Sequence, residues 1–166
     1  MEKKLLVLLA VILILSSASI PAFAGPPENA AGEWYYLPTG MVVDKVAGGN
    51  TFVSISDVGY WTGTIAGSET DVGTAVIYRS GRWGYTEGVL TFESAVVDGL
   101  SGGLEIRVNG YRPDIYTDWQ GQWLITEATG DLEGLQGQGS WWGPGWQGDP
   151  NEYGVVDYSG NVHFEP

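Results

Sequence analysis

The amino-acid sequence predicts an all-β protein, and specifically an eight-stranded antiparallel β-barrel. Segments in which apolar and polar residues alternate recur at near-regular spacing, as strands with two unlike faces require. Beyond the N-terminus no segment has the helical period of 3.6, and the 26 glycines would destabilise helices. Glycines inside the strand segments favour a barrel over a two-sheet sandwich, because a coiled, closed sheet bends at such positions.

Residues 1–24 have the pattern of a signal peptide. Lys3 and Lys4 precede an apolar run over residues 5–15, and Ala22-Phe23-Ala24 has the small residues that a signal peptidase recognises. The apolar run is short for a membrane span, and no second one follows. We therefore expect an exported protein, secreted or periplasmic, with no membrane partner after cleavage of the leader.

The rest of the chain predicts one domain. Residues 25–33 are expected to form a flexible lead-in, and residues 34–166 a single β-barrel that is long enough to bury its own core. The chain has no cysteine, so it can form neither a disulfide framework nor a thiolate metal site.

The predicted strands follow one another through short turns. In chain order they cover residues 34–46, 51–66, 69–79, 84–98, 104–109, 119–126, 135–142 and 153–164. The first should be an edge strand or a bulged one, because Pro38 lacks an amide proton and Gly40 follows it. A turn is expected at Gly67-Ser68, and Thr129-Gly130-Asp131 predicts a tight hairpin turn between the sixth and seventh strands.

The fifth strand has the cleanest alternation. Leu104, Ile106 and Val108 are expected to face the core, whereas the residues between them, Glu105 included, face water.

The segment 121–139 contains Trp123, Thr129-Gly130-Asp131-Leu132, Gly134 and Gly137, and it resembles part of the allene oxide cyclase and dirigent-protein barrels. It is closer still to uncharacterised bacterial domains thought to share that barrel, whose closing strand is similar to residues 158–164. The resemblance covers roughly residues 59–164. It implies an eight-stranded antiparallel barrel with an apolar cavity, often assembled as a homotrimer, in a superfamily whose plant members steer cyclisation or radical coupling of hydrophobic intermediates. The matching segment carries the structural glycines and not the acid or proline positions of the plant enzymes.

The charge balance excludes two classes of partner. The chain has 20 acidic against 7 basic residues and a net charge of −13, so it should repel nucleic acid and anionic lipid headgroups. The acidic residues are scattered along the chain, which favours a role in solubility over a role in recognition.

Aromatic residues are the strongest functional signal. Five of them share the parity of apolar neighbours in their strands, and these are the predicted ligand-binding residues: Trp61, Tyr78, Trp119, Trp123 and Trp141. Core packing would explain part of this set, and an aromatic cavity for a flat or apolar small molecule would explain the rest. Trp142 and Trp146 are expected to be exposed, where tryptophans can stack on sugar rings.

Catalytic candidates are few. A carboxyl group inside an apolar barrel would have a raised pKa and could transfer protons, and Glu69 is the best single candidate for that role. The simpler interpretation of Glu69 is a solvated carboxylate at the barrel rim. His163 is the only histidine, so neither a nucleophilic triad nor a zinc site is expected, and the sequence predicts no cofactor and no metal.

The leading functional prediction is an exported barrel that binds a small hydrophobic molecule in its interior, without a claim of catalysis. One alternative is a cyclase- or isomerase-type enzyme that shapes a hydrophobic intermediate. The other is a carbohydrate or cell-surface module that uses exposed Trp142 and Trp146. An internal cavity would favour the first two, and a filled core with a flat aromatic surface would favour the third.

Overall fold

The protein is a single antiparallel sheet of eight strands that closes on itself. The computed structural model describes residues 27–113 and 117–165. The strands are β1 Glu28–Ala47, β2 Asn50–Gly63, β3 Ile65–Ile77, β4 Trp83–Val97, β5 Leu100–Tyr111, β6 Trp119–Ala128, β7 Leu135–Gly145 and β8 Gly154–Phe164. Each strand pairs with the next, and β8 pairs with β1, so the sheet is a closed barrel. The predicted all-β class with eight antiparallel strands is confirmed.

The first strand begins earlier than the sequence predicts. Residues 28–33 belong to β1 and not to a flexible lead-in, because their backbone pairs with β8 from Glu28, opposite Val162, onwards. Ala30 in this segment is buried in the core. The predicted lead-in over residues 25–33 is therefore wrong from Glu28 on, while the predicted leader, residues 1–24, lies outside the described part of the chain.

The middle of β1 is irregular, as Pro38 and Gly40 predicted. The pairing of β1 with β2 shifts register between Pro38 and Gly40, and again between Val43 and Lys45. The pairing with β8 ends at Tyr36, opposite Gly154, so the second half of β1 pairs with β2 alone. The expected bulged strand is confirmed.

The reversal between β2 and β3 lies elsewhere than predicted. The chain turns at residues 63–65, where Gly63 has a φ of 97° that other residues rarely adopt. The predicted turn at Gly67-Ser68 is wrong. Those residues lie within β3, where the pairing with β4 shifts register between Ala66 and Thr70.

The connection from β6 to β7 is longer than the predicted tight turn. It contains a one-turn 3₁₀ helix, Gly130–Leu132, and Leu132 has no exposed surface. Burial of this leucine under the sheet accounts for the extra residues, since a two-residue hairpin turn would leave it in solvent. We call the barrel end that carries this helix the closed end and the opposite end the open end.

The half of the barrel next to the closed end is filled by large side chains. Trp61 packs against Tyr158 with ring centroids 4.4 Å apart, and its edge-to-face contacts to Phe92 and Trp123 span 6.0 and 6.3 Å. The three residues that the sequence assigns to the core of β5, Leu104, Ile106 and Val108, are buried as predicted. Among the described residues no helix is long and apolar enough to cross a membrane.

Candidate functional site

A cavity of about 420 Å³ occupies the other half of the barrel interior. It opens at the open end, because its lining includes the first residues of β4 and β6 and the residue that follows β7. The lining residues are Trp34, Tyr36, Pro38, Thr39, Gly40, Met41, Ile55, Ser56, Asp57, Asp71, Trp83, Thr86, Val108, Arg112, Trp119, Trp141 and Trp146.

Tryptophan rings form much of the cavity wall, and their orientations are fixed. Trp34 and Trp141 meet edge to face with centroids 5.7 Å apart. Trp141 Nε1 donates a hydrogen bond to the Asn109 carbonyl oxygen at 3.1 Å. The same indole lies over Gly110 and Gly121, where a Cβ would collide with the ring. Interior glycines thus provide the space that the cavity aromatics fill.

The connection between β7 and β8 is attached to the cavity wall through Tyr36. The Trp146 amide donates a hydrogen bond to the Tyr36 hydroxyl oxygen at 2.9 Å, and Trp146 Nε1 donates to the Asp149 carbonyl oxygen at 2.7 Å. Burial raises the pKa of Tyr36 to about 12, so this hydroxyl stays neutral at physiological pH.

Three carboxyl groups point into the barrel from β2 and β3, and we call Asp57, Glu69 and Asp71 the carboxyl cluster. Asp57 and Asp71 are cross-strand partners, and Glu69 lies opposite Gly59. Their exposed fractions are 7%, 3% and 5%. Asp57 and Asp71 line the cavity, whereas Glu69 lies beneath it and accepts a hydrogen bond from Trp34 Nε1 at 3.2 Å.

Two glycines leave room for these carboxyl groups. A Cβ on Gly59 would collide with Glu69 Oε1, and a Cβ on Gly88 would collide with the Asp71 carboxyl oxygens. Any other residue at Gly59 or Gly88 would displace the acid it faces.

Burial keeps two members of the carboxyl cluster, Asp57 and Glu69, largely protonated near neutral pH. It raises the pKa of Asp57 to about 8, and the neighbouring Asp71 and Glu69 contribute to that rise as like charges. Burial also raises the pKa of Glu69 to about 8, against the opposing effect of the Trp34 hydrogen bond. The pKa of Asp71 rises only to about 6, because hydrogen bonds from Asp57 and from the backbone at Val72 and Val89 stabilise its charge. Asp57 and Asp71 thus behave as a pair that shares a proton.

Each carboxyl group of the cluster keeps one oxygen without a partner among the described residues. Asp57 Oδ1, Glu69 Oε2 and Asp71 Oδ1 are buried and accept no hydrogen bond there. Over residues 27–113 and 117–165, no group of three or more acidic or histidine side chains could hold a metal ion. The cluster therefore offers hydrogen-bonding capacity to a molecule in the cavity.

The structure brings only two of the five predicted ligand-binding aromatics to the cavity. Trp119 and Trp141 line it. Trp61 and Trp123 are each 1% exposed in the packed half of the barrel and do not line it. Tyr78 is 36% exposed, with the Arg82 guanidinium 5.1 Å from its ring centre, because the residues that share its parity on β3 face outwards.

The two tryptophans expected to be exposed differ from each other. Trp142 is 44% exposed on the outer face of β7, as predicted. Trp146 is half-buried and lines the cavity, so its expected exposure is wrong. The hydrogen bond from its amide to Tyr36 holds it there.

Glu69 is a buried interior residue, and the simpler interpretation of a solvated rim carboxylate is wrong. The inner face of β3 carries the two acids, so that Glu69 and Asp71 are buried while Val72 on the outer face is 69% exposed. The sequence reasoning missed Asp57 and Asp71. The signal was present, because Asp71 has the parity of Glu69 and Asp57 has the parity of the buried Trp61.

Comparisons with known proteins assign no family. No protein-family model matches this chain, and a search of curated proteins finds no matching relative. Its function is therefore inferred from the cavity and the carboxyl cluster.

Proposed function

We propose that this protein is an exported β-barrel that binds a small, largely apolar molecule in the cavity at its open end. The observation that carries the proposal is the cavity itself. Its volume of about 420 Å³ is within the range of ligand pockets, its lining includes six aromatic and six polar side chains, and most of its surface is apolar. Trp34, Trp119 and Trp141 provide flat apolar surfaces without any change in the sheet.

The same architecture supports, as a proposal, a relation to the allene oxide cyclase and dirigent barrels. That resemblance implies an eight-stranded antiparallel barrel with an apolar cavity, and this chain has eight antiparallel strands around a largely apolar cavity. Export through the leader and assembly as a homotrimer stay predictions.

A cavity-filling variant tests the binding function. Thr86 lies on the inner face of β4 and lines the cavity, so Thr86→Phe should occupy the space that a ligand needs. We expect the wild-type protein to bind the neutral lipophilic probe N-phenyl-1-naphthylamine at one molecule per chain, measured by probe fluorescence. We expect Thr86→Phe to weaken this binding by about tenfold or more, equivalent to about 1.4 kcal/mol.

The matched control is Thr91→Phe, which adds the same group on the exposed outer face of β4. It should bind the probe as the wild type does. The proposal would be overturned if the wild type bound no neutral lipophilic probe, or if Thr86→Phe and Thr91→Phe behaved alike.

The carboxyl cluster favours a cyclase- or isomerase-type enzyme as the second candidate function. A buried carboxyl group with a pKa of about 8, as at Asp57 and Glu69, carries a proton at neutral pH and can act as a general acid towards a bound hydrophobic intermediate. Chromatography and NMR of a lipophilic compound incubated with and without the protein separate the two functions, because an isomer has the same mass as its precursor but a different retention time and spectrum. An unchanged molecule supports binding alone, and an isomer or cyclised product supports the enzyme.

The carbohydrate alternative has weaker support. It relies on Trp142 and Trp146 as exposed stacking surfaces, and of these two only Trp142 is exposed.

A further inference from the structure

The innermost polar part of the cavity consists of Asp57 and Asp71. Both side chains are more than nine-tenths buried and both line the cavity, and in each the Oδ1 atom has no hydrogen-bond partner among the described residues. Both Oδ1 atoms are enclosed by protein, with Asp71 Oδ1 next to Gly88, so a ligand in the cavity reaches them once the carboxyl groups rotate towards it. A buried acceptor without a donor is destabilising, so a molecule that supplied donors here would gain affinity. A purely apolar ligand would leave both oxygens unpaired.

The wall around these two carboxyl groups is suited to a positive charge. The indole rings of Trp34 and Trp141 and the phenol ring of Tyr36 line the same cavity. Aromatic ring faces carry negative electrostatic potential and attract ammonium groups. The carboxyl pair and the aromatic rings therefore favour the same kind of ligand group.

A cation of the protein, Arg112, also lines the cavity. It follows β5 at the open end, and its Nε donates a hydrogen bond to the Thr117 carbonyl oxygen at 2.8 Å. Its charge lowers the pKa of Tyr36, whereas the pKa of Asp57 responds to burial and to the neighbouring acids. Arg112 lies at the open end of the cavity, and the pKa values of the carboxyl pair are shifted by burial and by the neighbouring acids.

We infer that the ligand of this cavity is a lipophilic amine, whose protonated nitrogen binds between Asp57 and Asp71 while its apolar body lies against the tryptophans. This inference rests on the proposed binding function and adds the chemical class of the ligand. An ammonium group has donors for both unpaired oxygens and leaves one further donor for a neighbouring acceptor. A neutral isostere, such as the corresponding alcohol, has one donor and no charge.

Proton exchange is a second consequence of this geometry. Among the described residues, the titratable or charged groups that face the bound nitrogen are Tyr36 on β1, Asp57 on β2, Glu69 and Asp71 on β3, and Arg112 after β5. Tyr36 stays neutral near pH 7, so the exchange falls on the carboxyl cluster. Near pH 7 the pair holds one shared proton and one negative charge. An ammonium ion between the two carboxyl groups favours ionisation of both, so the shared proton leaves to solvent.

Isothermal titration calorimetry with three probes of one skeleton tests the inference. The probes are 1-naphthylmethylamine, 1-naphthylmethanol and 1-naphthaleneacetate, which are cationic, neutral and anionic at pH 7. We expect the amine to bind at least tenfold more tightly than the alcohol, and the acetate to bind most weakly. Titrations of the amine at pH 7 in phosphate and in Tris should differ in enthalpy by an amount that corresponds to proton release.

Substitutions at Asp57 and Asp71 test whether these residues cause the preference for the amine. Asp57→Asn combined with Asp71→Asn should remove the preference for the amine over the alcohol and abolish proton release. Glu93→Gln, which removes an exposed carboxylate from the outside of β4, is the control and should retain the preference for the amine. If the double variant does not fold, as judged by near-ultraviolet circular dichroism, Asp71→Asn alone provides the comparison.

The outcomes separate this inference from the function on which it rests. Equal affinity for amine and alcohol, or tightest binding of the acetate, would overturn the amine inference and leave the binding function standing. If none of the three probes bound while N-phenyl-1-naphthylamine did, the amine inference would again be overturned and the binding function would stand. Failure of every probe would overturn both.

Discussion

At the scale of single residues, the hydrogen bond from Trp34 to Glu69 controls the state of a buried acid. Trp34 Nε1 donates to Glu69 Oε1 at 3.2 Å, while Glu69 Oε2 has no partner among the described residues. This donor lowers the pKa of Glu69 against the larger effect of burial, which raises it to about 8. The pKa of Glu69 is therefore raised mainly by burial and lowered in part by one indole.

Trp34→Phe should raise the pKa of Glu69 above its wild-type value. The substitution retains an aromatic ring next to Trp61 and Trp141 and removes the indole donor to the carboxyl group. Loss of a buried hydrogen bond should also cost about 1–3 kcal/mol of unfolding free energy. The pKa can be followed by NMR titration of ¹³C-labelled glutamate carboxyl carbons.

The control for this substitution is Trp142→Phe, which changes an exposed indole on the outer face of β7. It should leave the Glu69 titration where it is in the wild type. An unchanged or lower Glu69 pKa in Trp34→Phe would show that the indole does not stabilise the carboxylate.

At the scale of structural elements, the 3₁₀ helix Gly130–Leu132 forms part of the closed end of the barrel. Leu132 is completely buried and belongs to the same core cluster as Phe92, Leu104 and Ile125. Leu132→Ala should therefore lower the free energy of unfolding by about 2–5 kcal/mol, as other buried leucine truncations do. Urea unfolding monitored by tryptophan fluorescence measures the loss.

Leu124→Ala is the matched control, because Leu124 is 46% exposed on the outer face of β6. It should cost less than about 1 kcal/mol. Since Leu132 does not line the cavity, both variants should bind N-phenyl-1-naphthylamine equally well without urea, at a temperature well below unfolding. A large loss of affinity in Leu132→Ala would mean that the two halves of the barrel are coupled.

The accuracy of the sequence-based prediction varied from one element to the next. In β5 the apolar face is the buried face, so Leu104, Ile106 and Val108 were assigned correctly. In β3 the valines lie on the outer face and two acids on the inner face, and the rule that places valines inwards gave the wrong side for Tyr78 and missed Asp71. The inner position of Asp71 depends on Gly88, which a neighbouring strand provides, and alternation within a single strand carries no information about such a partner.

The sequence predicts that an aromatic cavity exists, but it does not determine which tryptophans line it. Aromatic content and eight strands indicated a barrel interior with aromatic walls, and Trp119 and Trp141 do line it. Whether an interior tryptophan packs in the core or lines the cavity depends on its position along the barrel axis. Trp61 and Trp123 lie nearer the closed end, and their burial there follows from barrel registers that alternation does not determine.

At the scale of the whole molecule, the carboxyl cluster makes stability depend on pH. The pKa values of Asp57 and Glu69 are raised from ordinary values of 3.8 and 4.5 to about 8 in the folded protein. Below about pH 4 the folded and unfolded states both hold these protons. Between about pH 4 and pH 8 the unfolded chain loses protons that the barrel keeps, so the free energy of unfolding falls as the pH rises, and it levels off above the folded pKa.

We therefore expect the wild-type protein to be less stable at pH 9 than at pH 5 by at least about 2 kcal/mol, since a tenfold change in a proton-binding constant corresponds to about 1.4 kcal/mol. Urea unfolding at the two pH values measures the difference. Asp57→Asn combined with Glu69→Gln should reduce this difference, because amides do not ionise. The control, Glu93→Gln with Glu133→Gln, removes the same number of carboxyl groups from exposed positions. It should retain the wild-type difference in stability between the two pH values. Equal pH dependence in both double variants would contradict the assignment to buried acids.

The pairing of β1 with β8 has a consequence for the synthesis of the chain. The strand that completes the barrel, Gly154–Phe164, is made last, and its partner, residues 28–36, is made before the other strands. Until β8 has emerged, β1 and β7 both present unpaired backbone edges, which are sites for pairing with other chains. Closure also joins residues that are very distant in sequence, and such contacts form slowly. The nascent protein is therefore most prone to aggregation in the interval before β8 is available. Pairing of β8 with β1 then removes both unpaired edges.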